Sequence, residues 1–211
     1  MTAHPTLRII RDEHGTLSAV LRSIALLLSE TRRRGAKLDY QVLRAMLFYI
    51  DEFPERVHHP KESELLFPIL RNRGAVAAKV LERLDRDHAT SQQAVRDLEH
   101  QVLALEMMEN AADFDVRRTR FEAATEAYIT AYLDHMRLEE AEVLPLAERL
   151  LTDADWAELD AAFMQNRDPL TYRDGEDEFR PLFKHILMTL PAPIGLGPAM
   201  EALRVSHPTG G

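Results

Sequence analysis

Histidines and glutamates recur in this chain at spacings that suit metal binding. The sequence contains nine histidines and no cysteine, so any metal ion must be held by nitrogen and oxygen atoms. Glu62 follows His58 by four residues, and Glu139 follows His135 by four. Residues four apart lie on one face of a helix. Each pair therefore predicts a chelating unit for a metal ion.

The two segments that carry these pairs are similar to each other. HHPKESELLFP (58–68) and HMRLEEAEVLP (135–145) share a histidine, a glutamate and the final proline in the same register. His59 also forms a helical pair with the first glutamate, at a spacing of three, but Met136 occupies the equivalent position in the second segment. The comparison therefore favours His58 as the ligand. It predicts that His58→Ala loses most of the bound metal and that His59→Ala retains it.

Long helices must position these side chains. The chain has only 8 glycines and 11 prolines, and apolar residues recur every three or four positions over four long stretches. The predicted helices span about residues 5–31, 39–72, 75–109 and 113–151. Because the connections are short, we predict an all-α fold in which these helices form an up-down-up-down four-helix bundle. Pro54 and Pro60 are expected to kink or interrupt the second helix.

Shorter elements are predicted after the bundle. We expect extra short C-terminal helices at about residues 153–164 and 176–189, followed by a loose tail that is rich in proline and glycine. The predicted domain organisation is therefore a metal-binding bundle over residues 1–151, a C-terminal helical extension packed on it over 152–190, and the tail over 191–211.

One histidine from each long helix is expected at a similar height in the bundle. His14 and His88 lie about 9 and 13 residues from the starts of their helices, and His58 and His135 lie about 14 and 16 residues from the ends of theirs. At about 1.5 Å per residue, all four fall within roughly 10 Å of one level. The predicted metal ligands are His14, His58, Glu62, His88, His135 and Glu139. The other five histidines are predicted to be surface or core residues: His4, His59, His100, His185 and His207.

Six ligands exceed what one metal ion needs. We therefore predict two ions bridged by Glu62 and Glu139. Nitrogen and oxygen donors in this mixture favour iron over calcium or magnesium, with zinc as a substitute. If both ions are octahedral and share one oxygen atom, about two coordination positions stay open for dioxygen, peroxide or nitric oxide.

The same residues resemble the hemerythrin-like HHE cation-binding family over about residues 8–150. The segments that carry the resemblance are IRDEHGTL around His14, HHPKESELLFP, RDHAT around His88 and HMRLEEAEVLPLAERLL. TDADWAEL and EFRPLF are similar to segments of stand-alone bacterial members with extra C-terminal helices. The resemblance implies a non-haem di-iron centre of the Fe–O–Fe type, bridged by Glu62 and Glu139, that binds or reacts with small ligands.

The sequence departs from the oxygen carriers of this family at one position. Those proteins have a second histidine one turn after the first on the third helix, where this chain has Gln92, a poor iron ligand. Tyr132, Tyr128 and Gln92 are candidates for an extra ligand or for a hydrogen bond to a ligand. The departure disfavours reversible oxygen carriage and favours a catalase-like or peroxide-reactive protein. The alternatives are a sensor or interaction module without turnover, holding iron or zinc, and an iron-handling protein.

Other classes of function are disfavoured by composition and pattern. The net charge of −9 disfavours nucleic acid as a partner. The apolar runs, such as residues 24–28, are too short for a membrane segment. Charged residues near the start, such as Arg8 and Arg11, argue against an export signal, so a cytoplasmic location is expected. A sensor of this kind would need a separate protein partner. Ferritin-like enzymes need Glu-x-x-His on two helices, whereas only Glu55-x-x-His58 is present.

Overall fold

The computed structural model describes residues 4–166, 168 and 170 of the chain. This part contains four long helices and one shorter helix. Helix α1 is Pro5–Arg34, α3 is Ala78–Met107 after a 3₁₀ turn at Ala75–Ala77, and α5 is Asp153–Phe163. Helix α2 covers residues 40–73 in five consecutive stretches: Tyr40–Ile50, Asp51–His58, His59–Lys61, Glu62–Leu66 and Phe67–Arg73. Helix α4 covers residues 114–150 in three: Phe114–Leu138, Glu139–Val143 and Leu144–Leu150.

The bundle is closed, because each long helix contacts at least two others. Helix α1 packs against α2 and α4, and α3 packs against the same two helices from the opposite side. The predicted all-α bundle is confirmed. Helix α5 packs on α1, where the Trp156 ring stacks on His4 with centroids 4.0 Å apart. The predicted helix at residues 176–189 and the predicted tail at 191–211 lie outside the described residues.

Local signals in the sequence account for several helix ends. Gly35 adopts a left-handed conformation with φ of 60°, which an L side chain rarely adopts, and ends α1. The Asp39 carboxylate accepts a hydrogen bond from the Val42 N–H and begins α2. Thr152 begins α5 through a reciprocal capping box with Asp155.

Three stretches of α2 and α4 are π-helical, with wider turns than the α-helix. They are Asp51–His58, which contains Pro54, Glu62–Leu66, and Glu139–Val143. The interruption predicted for the second helix is found at Pro54, since a proline inside a helix removes one backbone donor. Pro60 lies in the α-helical stretch His59–Lys61, between two of the π-helical stretches. Every one of these stretches contains or adjoins a predicted metal ligand, and π-helical turns are frequent at functional sites.

Two apolar cores lie in the bundle, separated along the chain by a band of buried polar residues. The first core includes Leu17, Leu21, Val95 and Phe121, and the second includes Leu7, Phe67 and Leu84 together with residues of α5. In each long helix the predicted ligands come between residues of the first core and residues of the second. The band of predicted ligands is therefore held in place from both sides by tightly packed apolar side chains.

Among the described residues, none of the helices combines the length and the apolar character that crossing a membrane requires.

Candidate metal centre

Two groups of buried side chains meet in the polar band, and they share one glutamate. The first cluster consists of His14, His58, Glu62 and Glu139, and the second cluster consists of His59, Glu62, His88 and His135. All of these residues are buried, and together they come from all four long helices. The structure therefore brings the six predicted ligands together and adds His59.

The spacing of the ligand atoms suits one metal ion in each cluster. Within a cluster, the ligand atoms all lie within 4.8 Å of one another. Two ligand atoms on opposite sides of an ion, each bound at about 2.0–2.2 Å, are separated by roughly 4.4 Å. Small side-chain shifts would therefore convert each cluster into a coordination shell.

Buried polar atoms without hydrogen bonds at the centre of the band suit the binding of cations. Eight buried side-chain nitrogen and oxygen atoms have no hydrogen-bond partner within the described residues, and five of them face one another here. These five are both carboxylate oxygens of Glu62, both of Glu139, and Nε2 of His58. Leaving such atoms buried without a partner is costly, about 1–3 kcal/mol each and more for charged groups. Bound cations would satisfy all five.

The histidines of the first cluster are oriented by carboxylates. Nδ1 of His14 lies 2.9 Å from Glu140, and Nδ1 of His58 lies 2.7 Å from Glu13. A carboxylate at Nδ1 holds the imidazole proton there and leaves the lone pair of Nε2 for a metal ion. The Nε2 atoms face the glutamates of the cluster, at 3.4 Å for His14 and 2.9 Å for His58.

The histidines of the second cluster also have polar partners at Nδ1. The partners are Glu55 for His59 at 3.0 Å, Ser63 for His88 at 2.7 Å, and Asp87 for His135 at 3.6 Å. The last distance is too long for a hydrogen bond. The Nε2 atoms of His88 and His135 lie 3.2 Å apart. Two lone pairs at this distance repel each other unless a proton or a metal ion lies between them.

Electrostatics in the first cluster favour cations. Burial alone would lower the pKa of His58, but the carboxylates of Glu62 and Glu13 outweigh burial and raise its pKa well above the usual value. Burial likewise opposes the charged form of His14, and contacts with Glu139 and Glu140 raise its pKa to about 8. Positive charge is therefore stable here, and a metal ion would replace the protons that supply it.

The second cluster keeps its imidazoles neutral. Burial, followed by the neighbouring imidazoles of His135 and His58, lowers the pKa of His59 well below its usual value. Burial and the rings of His59 and His135 lower the pKa of His88 in the same way. The neutral imidazole is the form that binds metal ions.

Carboxylates supply the negative charge that a pair of metal ions would need. Burial and the nearby Glu139 carboxylate raise the pKa of Glu62, whereas His14 overcomes burial and lowers the pKa of Glu139. Within the described range, six carboxylates are members of the clusters or contact their imidazoles: Glu13, Glu55, Glu62, Asp87, Glu139 and Glu140. Two divalent or trivalent ions would neutralise four to six negative charges.

The three additional candidates from the sequence occupy different places. The Tyr132 hydroxyl donates a hydrogen bond to Nε2 of His59 at 2.9 Å. Tyr128 lies farther out, with its hydroxyl 3.4 Å from Glu55, whose pKa is raised by burial to about 7. Gln92 belongs to neither cluster. Tyr132 is thus the one of the three that contacts a cluster residue.

His59 is the cluster residue that the sequence analysis missed. Adjacent helical residues point about 100° apart, so His58 and His59 were treated as alternatives. When the inward face of a helix lies between two neighbours, both reach the interior, and here each reaches a different cluster. The comparison with Met136 wrongly excluded His59 as a ligand. The two equivalent positions differ in environment, because Met136 packs into the first apolar core and His59 lies in the second cluster. The usable signal was Glu62, which follows the two histidines by four and three residues.

Two cavities adjoin the clusters. The smaller, of about 20 Å³, lies between α1 and α2 and contacts His14, His58, His59 and Tyr132. It has room for a molecule of roughly the size of water. The larger is a groove of about 420 Å³ between α3 and α4. Polar side chains, including His59, Tyr132 and His135, line its inner end, and four alanines line its walls: Ala94, Ala124, Ala127 and Ala131.

Comparison with known proteins supports this assignment. The family model described as hemerythrin HHE cation binding domain matches residues 6–147. The match contains all members of both clusters, and it confirms the resemblance inferred from the motifs. No curated protein and no solved structure matches the chain.

Proposed function

The chain belongs to the hemerythrin HHE cation-binding family, and on that premise we propose that it holds a pair of iron ions that react with peroxide or dioxygen. Nitric oxide is a further small molecule that such a pair of iron ions would bind. One ion occupies the first cluster and the other occupies the second, with Glu62 between them. Zinc is the expected substitute, since it accepts the same nitrogen and oxygen donors.

The shared Glu62 carries the proposal. Both of its carboxylate oxygens are fully buried and form no hydrogen bond, and they face histidines of different clusters: Oε1 lies 2.9 Å from His58, and Oε2 lies 3.5 Å from His88. A carboxylate held in this way has one oxygen available for each of two ions. A single structural ion would use one cluster and leave the other with unpaired buried groups.

The chain's own residues prepare the site for a small oxygen species. A pair of iron ions supplies electrons in redox reactions of peroxide and dioxygen. Apolar side chains on both sides of the band exclude bulk water, which strengthens the electrostatic interactions inside. The Tyr132 hydroxyl lies 2.9 Å from Nε2 of His59, so if that nitrogen held a metal ion the hydroxyl would lose its acceptor and would be able to donate to a small ligand in the adjoining cavity. The cavity of about 20 Å³ beside Tyr132 fits a molecule of that size.

Metal analysis together with absorption spectroscopy tests the proposal. Protein purified without added metal, then loaded with ferrous iron and exposed to air and to peroxide, should contain two irons per chain and show near-ultraviolet absorption of an oxygen-bridged pair. Consumption of peroxide indicates an enzyme, and a reversible spectral change without consumption indicates a sensor. Zinc or a single ion, with no spectrum after loading with iron, would contradict the di-iron site.

The groove between α3 and α4 is the expected route for peroxide. Ala131 is exposed, lines this groove and lies one turn before His135. Ala131→Phe would place a ring in the groove and is expected to slow the reaction with peroxide by roughly tenfold, which corresponds to about 1.4 kcal/mol in the barrier. Stopped-flow absorption of the iron-loaded protein measures this rate, and the metal content should not change.

Ala25→Phe is the matched control for this experiment. Ala25 is also an exposed alanine in a groove, of about 460 Å³, but that groove includes no member of either cluster. Its substitution should leave the rate unchanged. If the two variants react equally fast, peroxide does not enter between α3 and α4, and the side of the small cavity near Leu17 and Val57 becomes the route to test.

A further inference from the structure

A segment beyond the family match reaches the first cluster. The match ends at residue 147, and Asn166 lies three residues after the end of α5. Its side-chain Nδ2 donates hydrogen bonds to both carboxylate oxygens of Glu13, each at 3.0 Å. Asn166 is only 1% exposed and Glu13 is 7% exposed, so water does not compete with these bonds.

Glu13 connects Asn166 to a candidate metal ligand. Its Oε2 accepts a hydrogen bond from Nδ1 of His58 at 2.7 Å. This bond selects the imidazole form whose Nε2 lone pair is available to a metal ion. Glu13 is not a member of either cluster, so it affects the first cluster only through the orientation of His58. The amide of Asn166 holds both carboxylate oxygens of Glu13, including the one that accepts from His58.

Other contacts hold this segment against the same part of α2. The Lys61 ammonium donates to the Ala162 carbonyl at 2.9 Å and also to the side-chain oxygen of Asn166. The Phe163 ring packs edge-on against His58 with centroids 6.3 Å apart. Tyr49 donates a hydrogen bond to Asp168 at 2.7 Å. The segment is therefore attached on both sides of Asn166.

We propose that Asn166 is a positioning residue for the metal ion of the first cluster, acting through Glu13 and His58. Asn166 thereby belongs to the metal site although it lies outside the matched domain. The proposal rests on the proposed function, in that the first cluster must hold an ion. Asn166 has no positioning role at the second cluster in this proposal. The Nδ1 atoms of the histidines in that cluster face other polar side chains: Glu55, Ser63 and Asp87.

The test is a measurement of the affinity of each ion in Asn166→Leu. Leucine has nearly the shape of asparagine but donates no hydrogen bond. Removing such a supporting partner typically lowers metal affinity by about 10- to 100-fold. In a competition titration of the full chain with an iron chelator, we expect this loss for one of the two ions and no change for the other. Gln165→Leu removes the side-chain amide from the neighbouring, exposed position and should retain both affinities.

A double-mutant cycle separates positioning from a general structural role. If Asn166 acts through Glu13, the combined variant Glu13→Gln with Asn166→Leu should lose no more affinity than Glu13→Gln alone. Additive losses, equal losses at both ions, or an unchanged affinity in Asn166→Leu would overturn the proposal. A wild-type chain that binds fewer than two ions would instead contradict the metal pair itself, so the two failures are distinguishable.

Discussion

Glu62→Leu is expected to lose both metal ions, although only one side chain is changed. Glu62 belongs to both clusters, so its removal takes one ligand from each ion and one shared negative charge from the pair. The metal content after loading with iron and desalting should fall from two ions per chain to nearly none. Elemental analysis at a known protein concentration measures it. Glu64→Leu, at an exposed position in the same stretch Glu62–Leu66, is the matched control and should retain both ions.

The same substitution should make the metal-free protein less stable. Without metal, Glu62 and His58 form a buried ion pair, with Oε1 2.9 Å from Nε2, and removing one partner of such a pair typically costs about 3–5 kcal/mol. A chain of this size loses roughly 2–4 °C in melting temperature per kcal/mol. Metal-free Glu62→Leu should therefore melt below the metal-free wild type, and added iron should raise the melting temperature of the wild type alone. A higher melting temperature for the metal-free variant would show that repulsion between Glu62 and Glu139 outweighs the ion pair with His58.

His58→Ala and His59→Ala are each expected to lose one ion, and not the same ion. The structure thus replaces the expectation from sequence that only His58→Ala loses metal, because the two imidazoles belong to different clusters. The metal content should fall from two ions to one in both variants, and a Mössbauer spectrum should retain a different iron environment in each. His100→Ala, at an exposed histidine in α3, controls for the general effect of losing an imidazole.

Either of two results would contradict this assignment. Retention of both ions in His59→Ala would return His59 to the core role that the sequence analysis gave it. Identical residual spectra in the two variants would mean that both histidines serve one ion.

The fold could be predicted because its signals are local. Gly35 and Asp39 mark the turn between α1 and α2, and Thr152 begins α5, each through its own backbone geometry or through hydrogen bonds to residues within three positions. The heights of His14, His58, His88 and His135 followed from helix length and direction alone. These properties need no knowledge of which helix faces are in contact.

The environment of the ligands could not be predicted in the same way. Asn166 meets Glu13 across 153 positions of sequence, and Ser63 meets His88 across 25. No periodicity relates such pairs, since they depend on how the helices rotate and pack. His59 was missed for a related reason, because the orientation of α2 decides whether one or both neighbouring imidazoles face the interior.

The first helix of the bundle begins with a cap that belongs to another helix. Asp160 of α5 accepts hydrogen bonds from the Thr6 N–H at 2.9 Å and from its hydroxyl at 2.7 Å, whereas the residue before α1 provides no side-chain cap. During synthesis, Thr6 is therefore made 154 residues before its partner, a delay of roughly 8–30 s at about 5–20 residues per second. Asn166, which holds Glu13 in place, is made later still. The first cluster can therefore reach its final arrangement only after residue 166 has been synthesised, whereas every member of the second cluster is already present once residue 135 has been made.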